Sequence, residues 1–193
     1  MPDNPKPISL RELSPADFEP IHELLSDWNV VQYMLLPYCQ SRKDSRKYFQ
    51  ELTAETTPAW RSIVRAIGSQ DSDDVIGLCG IVILHGSEQG EIWYLVRPDH
   101  WGQGIASAAA RQLLRMGFAE LSLHRIFATC LPENPASSRV LERIGMRKEG
   151  CQRKHLKIHG VWHDCFLYGI LRDEWETGNA AALLKADPLG QFC

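Results

Sequence analysis

Apolar and polar positions alternate over residues 8–13 (I-S-L-R-E-L), the period of a half-buried strand. Ser14-Pro15-Ala16-Asp17 follows, giving a cap, a proline at the first helical position and an acid in the first turn, and so predicts a helix to about Ser26. Residues 30–34 are short and apolar, and 35–40, with Pro37, break the run. Ser41 with Asp44 three positions on opens a second helix through about Glu55, its apolar stripe made by Tyr48, Phe49 and Leu52. Alternation returns at 60–67, residues 68–74 read as a turn, and 75–84 are apolar almost throughout, the pattern of a strand covered on both faces. A second turn at 85–90 leads into a strand that starts at Glu91, carries Ile92, Trp93, Tyr94 and Val96, and stops at Pro98. These segments predict three consecutive antiparallel strands.

The small, helix-favouring run 107–115 comes next, with Ile105, Ala109, Leu113 and Met116 on one side and Arg111 and Arg115 on another. A strand-like LHRIFATCL (123–131) precedes a helical stretch from Pro135, and strand-like runs between 148 and 171 flank His159-Gly160. Residues 180–193 carry no interpretable signal, and no repeat, linker or low-complexity tract is found.

Composition narrows the class. A chain of 193 residues fits one domain, 1–193, with its core over about 8–175, and can bury roughly two-thirds of its unfolded surface. It is 44% apolar and 23% charged, and no run approaches the ~18 apolar residues of a membrane span. MPDNPKPISL has no basic region followed by an apolar one, so no secretory signal is expected. Six cysteines without a CxxC pair, several in apolar runs, predict reduced buried thiols and a cytoplasmic protein. The net charge of −3 offers no basic field for a nucleic acid.

Candidate chemistry centres on WGQGIA (101–106), between the Glu91 strand and the following helix. The first amides of a helix lack intrahelical acceptors, and the macrodipole adds partial positive charge, so a phosphate can sit there. Gly102 and Gly104 let it touch the backbone. A P-loop would need Lys and then Ser or Thr after its last glycine, but Ile105 and Ala106 follow Gly104. A dinucleotide fingerprint would need Gly or Ala at Ser107 and an acid ending a second strand about twenty residues on, whereas Glu120 falls within the helix. The short form x-x-G-x-G-x-A after a strand remains.

Taken with Asn134-Pro135-Ala136-Ser137 and the later Ile144-Gly145-Met146, this loop resembles the Gcn5-related N-acetyltransferase family, and within it the branch that acetylates ribosomal-protein N-termini. The resemblance covers roughly residues 8–175. Trp101 stands where the wider family has Arg or Gln, though Trp is usual in the branch, and Trp93 stands where the branch often has Gly. The resemblance implies an α+β (α/β) fold: a mixed, mostly antiparallel sheet of about seven strands, helices on both faces, and a splayed central strand pair. It also implies acetyl-CoA as acyl donor, no metal, and direct transfer to a primary amine. The acceptor would be a protein N-terminal α-amine or, alternatively, a small amine such as a polyamine, an amino acid or an aminoglycoside. A non-catalytic CoA-binding sensor is the reading from another class. A homodimer is compatible with all of them.

On this resemblance the amides of Trp101, Gly102, Gln103, Gly104, Ile105 and Ala106 hold the pyrophosphate. Backbone groups of Leu95, Val96 and Arg97 pair with the pantetheine arm, one amide polarising the thioester oxygen. Asn134 bonds the pantetheine or else caps the helix at Pro135. Glu91 matches an acidic family position and becomes the general base, or is a solvated strand-end acid. Ser137 protonates the leaving thiolate; should Glu91 not be the base, a water held by backbone carbonyls, Tyr94 or Tyr168 would be the ammonium proton's first destination. Trp28, Tyr33 and Tyr38 line the acceptor mouth or serve as core and rim aromatics. His155, His159 and His163, four apart, would align for a metal on a helix, but Gly160 and the β-branched residues around it predict a hairpin instead. Asp164 is read as structural.

Overall fold

The computed structural model describes residues 7–53, 60–69, 72–84 and 86–178. The expectations for Glu55, Gln70, Asp71, His85 and the tail 180–193 fall outside them. The chain runs β1 (Ile8–Arg11), α1 (Phe18–Ser26), α2 (Trp28–Val31), α3 (Arg42–Thr53), β2 (Trp60–Ser69), β3 (Ser72–Leu84), β4 (Gln89–Val96), α4 (Ile105–Arg115), β5 (Arg125–Cys130), α5 (Pro135–Arg143), β6 (Arg147–Ile158) and β7 (Val161–Leu171). A last helix, α6, spans 172–178. The sheet order is β1-β2-β3-β4-β5-β7-β6, antiparallel except where β4 meets β5. Parallel neighbours need a crossover, and α4 supplies it.

Each face of the sheet has its own core. Ile76, Cys79, Ile81, Ile92 and Val96 pack with Ile105, Ala109 and Leu113 of α4. Val75, Leu78 and Leu95 pack with Ile21, Leu24 and Leu25 of α1 and with Tyr48, Phe49 and Leu52 of α3. β3 therefore contributes buried side chains to both layers, which is why it lacks polar alternation. The arrangement is the predicted mixed sheet with helices on both faces.

Several boundaries move. β3 begins at Ser72, inside the stretch read as a turn, because pairing with β2 continues to Ser69↔Ser72 across register shifts at Ile67, Gly68 and Ser69. β4 begins at Gln89, so Glu91 is its third residue. α4 begins at Ile105, capped by Gly104, rather than at Ser107. Residues 30–34 give only the end of α2, where the Asp27 side chain accepts from Asn29 N at 2.9 Å. The unforeseen π turn Met116–Glu120 closes on Leu121 N to Met116 O at 3.0 Å and sets Gly117 against Ile126. His159 and Gly160, with φ of 47° and 85°, make the two-residue β6–β7 turn.

The central feature is what β4 and β5 fail to do. They pair only through Gln89↔Arg125, Gly90↔Ile126 and Glu91↔Phe127. Each strand keeps its outer partner much further, β4 with β3 to Val96↔Gly77 and β5 with β7 to Cys130↔Phe166. Beyond Glu91 and Phe127 a wedge opens in the middle of the sheet.

Candidate active site

The wedge exposes specific backbone groups. Arg97 N donates to Ile76 O at 2.9 Å, which fixes the phase of the β3–β4 ladder. Antiparallel ladders alternate, so Leu95 and Trp93 also turn their backbone groups to β3, while those of Val96, Tyr94 and Ile92 face the gap. Val96 O is reached there by Trp101 Nε1 at 2.7 Å. Of the three residues assigned to the pantetheine arm, Val96 points its backbone into the wedge, whereas Arg97 engages β3 and its guanidinium meets Asp99 at 3.4 Å. A side chain at Gly77, opposite Val96, would run into Leu95 O, so this end of β4 requires a glycine beside it.

At the end of the wedge lies the glycine loop. Gly102 and Gly104 sit at φ 73° and 77°, the left-handed region that L side chains avoid. Ala108 N is bonded to Gly104 O at 3.0 Å, so the amides before it have no intrahelical acceptor. They border a cavity of about 600 Å³ on whose wall Leu95, Val96, Trp101, Gly102, Gly104, Ile105, Ala106 and Asn134 all appear. Gln103 is turned away, its Nε2 donating to Asp99 O at 3.1 Å. Three further wall residues, His100, Arg139 and Arg143, were not singled out from sequence. The i,i+4 spacing of the two arginines on α5 was the available signal, since it sets both on one helical face. His100 Nδ1 is buried with no hydrogen-bond partner among the described residues, a ring nitrogen that could donate to a phosphate oxygen. Exposed amides, two guanidiniums and this nitrogen suit a polyphosphate.

Asn134 is a cap: its Oδ1 accepts from Ser137 N at 3.2 Å. The capping bond uses only its oxygen, so the amide NH₂ can still donate to a molecule in the cavity. Ser137 Oγ lies 3.1 Å from the Tyr94 hydroxyl. Burial holds the Tyr94 phenol far above its ordinary range, so the group keeps its proton. Tyr168 is buried and gives its hydroxyl to Glu142 Oε1 at 3.1 Å, away from this pair.

A second cavity, about 690 Å³, opens on the α1–α3 side of the sheet. Glu91 lines it at the apex of the wedge and accepts from Thr129 Oγ1 at 2.8 Å. Thr129 on β5 fixes one carboxylate oxygen and leaves the other for a ligand. Tyr33, Met34, Tyr94 and Ser137 border both cavities, so the two meet across the gap. Of the aromatics expected at the mouth, Tyr33 is there, while Trp28 packs edge-on against Tyr38 at 5.4 Å and against the His159 ring at 4.7 Å. His159 Nε2 is 3.2 Å from Val31 O, and His163 pairs with Leu156 across the hairpin. No group of three or more His, Cys, Asp or Glu placed to hold a metal occurs among the described residues. Asp164 accepts from Lys154 N at 2.9 Å and steadies the bulge where Lys154 has φ 47°.

No described helix is long and apolar enough to cross a membrane. Among the described residues five cysteines are free, and four of them are buried. Cys130, beside the gap, has its thiol pushed up by burial, which disfavours a nucleophilic thiolate.

Comparison with known proteins agrees with this geometry. The acetyltransferase (GNAT) domain family matches residues 8–147. The uncharacterized N-acetyltransferase YnaD of Bacillus subtilis (strain 168) is 34% identical over 88% of this chain and 96% of its own length. The putative ribosomal N-acetyltransferase YdaF of the same organism is 30% identical over 88% and 93%. The spermidine N-acetyltransferase of Vibrio cholerae, solved with CoA and spermine, has a TM-score of 0.74 at 23% identity, covering 88% of this chain and 98% of that one, a likeness of fold. The family uses acetyl-CoA, and both the domain match and the curated relatives establish that this chain is a member of the GNAT family and an N-acetyltransferase.

Proposed function

We propose that the chain forms one acetyltransferase domain that moves an acetyl group directly from acetyl-CoA to a protein N-terminal α-amine. The observation that carries this is the meeting of the two cavities at the wedge. One has phosphate-binding features at its far end, and the other brings a carboxylate to the junction. The pyrophosphate rests on the amides of residues 102–106, the Trp101 amide being already given to Pro98 O at 3.1 Å, the pantetheine arm lies along the free edge of β4, and the Val96 amide faces the thioester oxygen. Glu91 takes the ammonium proton, directly or through water, and the amine lone pair forms the N–C bond. Collapse of the tetrahedral intermediate breaks the C–S bond, and Tyr94, with Ser137 beside it, hands its proton to the departing thiolate as it takes up the second proton that the nitrogen loses on becoming an amide. The neutral Cys130 thiol favours direct transfer over an acyl-cysteine route. The relative described as a putative ribosomal N-acetyltransferase supports an N-terminal acceptor.

Release of free thiol from acetyl-CoA should follow addition of a peptide with an unblocked N-terminus, and not of the same peptide already acetylated. Acetyl-CoA should also raise the melting temperature while NAD does not, because only ligands of the native state stabilise it. Binding without thiol release would leave a CoA sensor.

Tyr94→Phe should lower kcat about tenfold, a modest loss because a thiolate of reference pKa ~8.5 leaves tolerably unaided. Adding Ser137→Ala should then cost little more if the two hydroxyls act as one unit. Unchanged turnover in the double variant would remove the pair from proton transfer.

A further inference from the structure

The amine-side cavity is chemically lopsided. Its wall is built largely from Leu52, Trp60, Trp93, Leu131, Leu156 and Ile158. Among the described residues its charged lining is two carboxylates, half-buried Glu91 and exposed Glu51, with no lysine, arginine or histidine. Burial, with Glu51 nearby, pushes the Tyr48 phenol up to about 12, so this hydroxyl in the wall is neutral.

Trp93 has a seat prepared for it. It lies opposite Gly80 in the β3–β4 ladder, and a Cβ at Gly80 would come within 2.9 Å of Trp93 Cε2 and Cζ2. The missing side chain lets the indole lie across β3, on the α1–α3 side of the sheet, and present an aromatic wall to the cavity.

This lining discriminates by charge. A free amino acid would bring its carboxylate close to Glu91 with no cation to answer it, and a buried unpaired charge is strongly unfavourable. A polyamine would set further ammonium groups against aliphatic and aromatic walls, and exposed Glu51 offers only a weak surface pairing. One ammonium beside a bulky uncharged group satisfies Glu91 and also covers the apolar wall.

Resting on the acetyl-transfer reading above, we infer that the acceptor is a monocationic primary amine whose neighbouring group is large and apolar, with Trp93 as the specificity-determining wall. A peptide beginning with Phe or Met and a free arylalkylamine share this chemistry.

The test compares kcat/KM for peptides identical except at the first residue (Phe, Met, Lys or Asp), together with 2-phenylethylamine and spermidine. Phe- and Met-headed peptides should exceed Lys- and Asp-headed ones at least tenfold, with spermidine below them. If 2-phenylethylamine matches the Phe-headed peptide, the chemistry stands with a small-molecule source; if the peptide is far better, it stands with a polypeptide source. Trp93→Ala should lower kcat/KM for the Phe-headed peptide about tenfold, mainly through KM, with acetyl-CoA affinity unchanged.

Preferred acetylation of spermidine, or of Lys- or Asp-headed peptides, would overturn the inference while leaving acetyl transfer intact. Calorimetry with CoA-loaded protein separates the opposite failure. Apolar-headed peptides that bind tighter than charged ones without turnover would uphold the cavity's preference and refute transfer. Tighter binding of charged heads, or equal binding of all, would overturn the preference itself.

Discussion

Glu91→Gln should lower the acetyl-transfer rate by roughly 10² to 10⁴ at neutral pH, about 2.7 to 5.5 kcal/mol in the barrier. Glutamine keeps the size of the side chain and can still accept from Thr129, so the fold and the junction should be preserved. Acetyl-CoA affinity should be unchanged, because Glu91 lines the other cavity. The lost property is the capacity to take a proton. An α-amine has a reference pKa of ~8, so near pH 7 most of the acceptor is ammonium and needs a base. As pH rises past ~8 the free amine predominates, and the ratio of wild-type to variant rate should shrink. Initial rates from pH 6.5 to 9.5 measure this. A ratio that stays flat would make Glu91 a positioning group, and a fully active variant would remove it from the mechanism.

Gly104→Val should weaken acetyl-CoA binding at least tenfold, and about 10²-fold (~2.7 kcal/mol) if both pyrophosphate groups lose the loop. Two effects act together. Gly104 is the cap of α4 at φ 77°, a conformation that a β-branched residue holds only at a cost on the order of 1–3 kcal/mol. The branched side chain also stands between the amides and the phosphates. That strain is a fraction of the ~5–15 kcal/mol that stabilises a typical domain, so the protein should remain folded with a lowered melting temperature. Calorimetric titration checks the affinity, and a folded variant with unchanged binding would refute the loop assignment.

The loop was legible from its residues because its conformation is local. Glycines just ahead of a helix imply positive φ and open amides whatever the rest of the chain does, and both glycines adopt it. Alternation likewise encoded β2, β4 and the hairpin, and the near-continuous apolar run of β3 encoded a strand buried on both faces. Boundaries slipped where pairing partners, rather than local preference, extended a strand. The start of β3 within an apparent turn is such a case, as is the start of β4 two residues before Glu91.

The sequence by itself determined the glycine loop, the seven strands and the helices α1, α3, α4 and α5, and which faces of them are apolar. The tertiary structure decided how far β4 stays with β5, and from that, which backbone groups are left free at the wedge. It also decided which distant side chains meet: Thr129 with Glu91, Ser137 with Tyr94, and Arg139 and Arg143 beside the loop. Strand period specifies which face a side chain takes, but not the strand alongside it or where the two separate. Those follow from β4 being held along its length by β3 and β5 by β7, which leaves the two to part beyond Glu91 and Phe127.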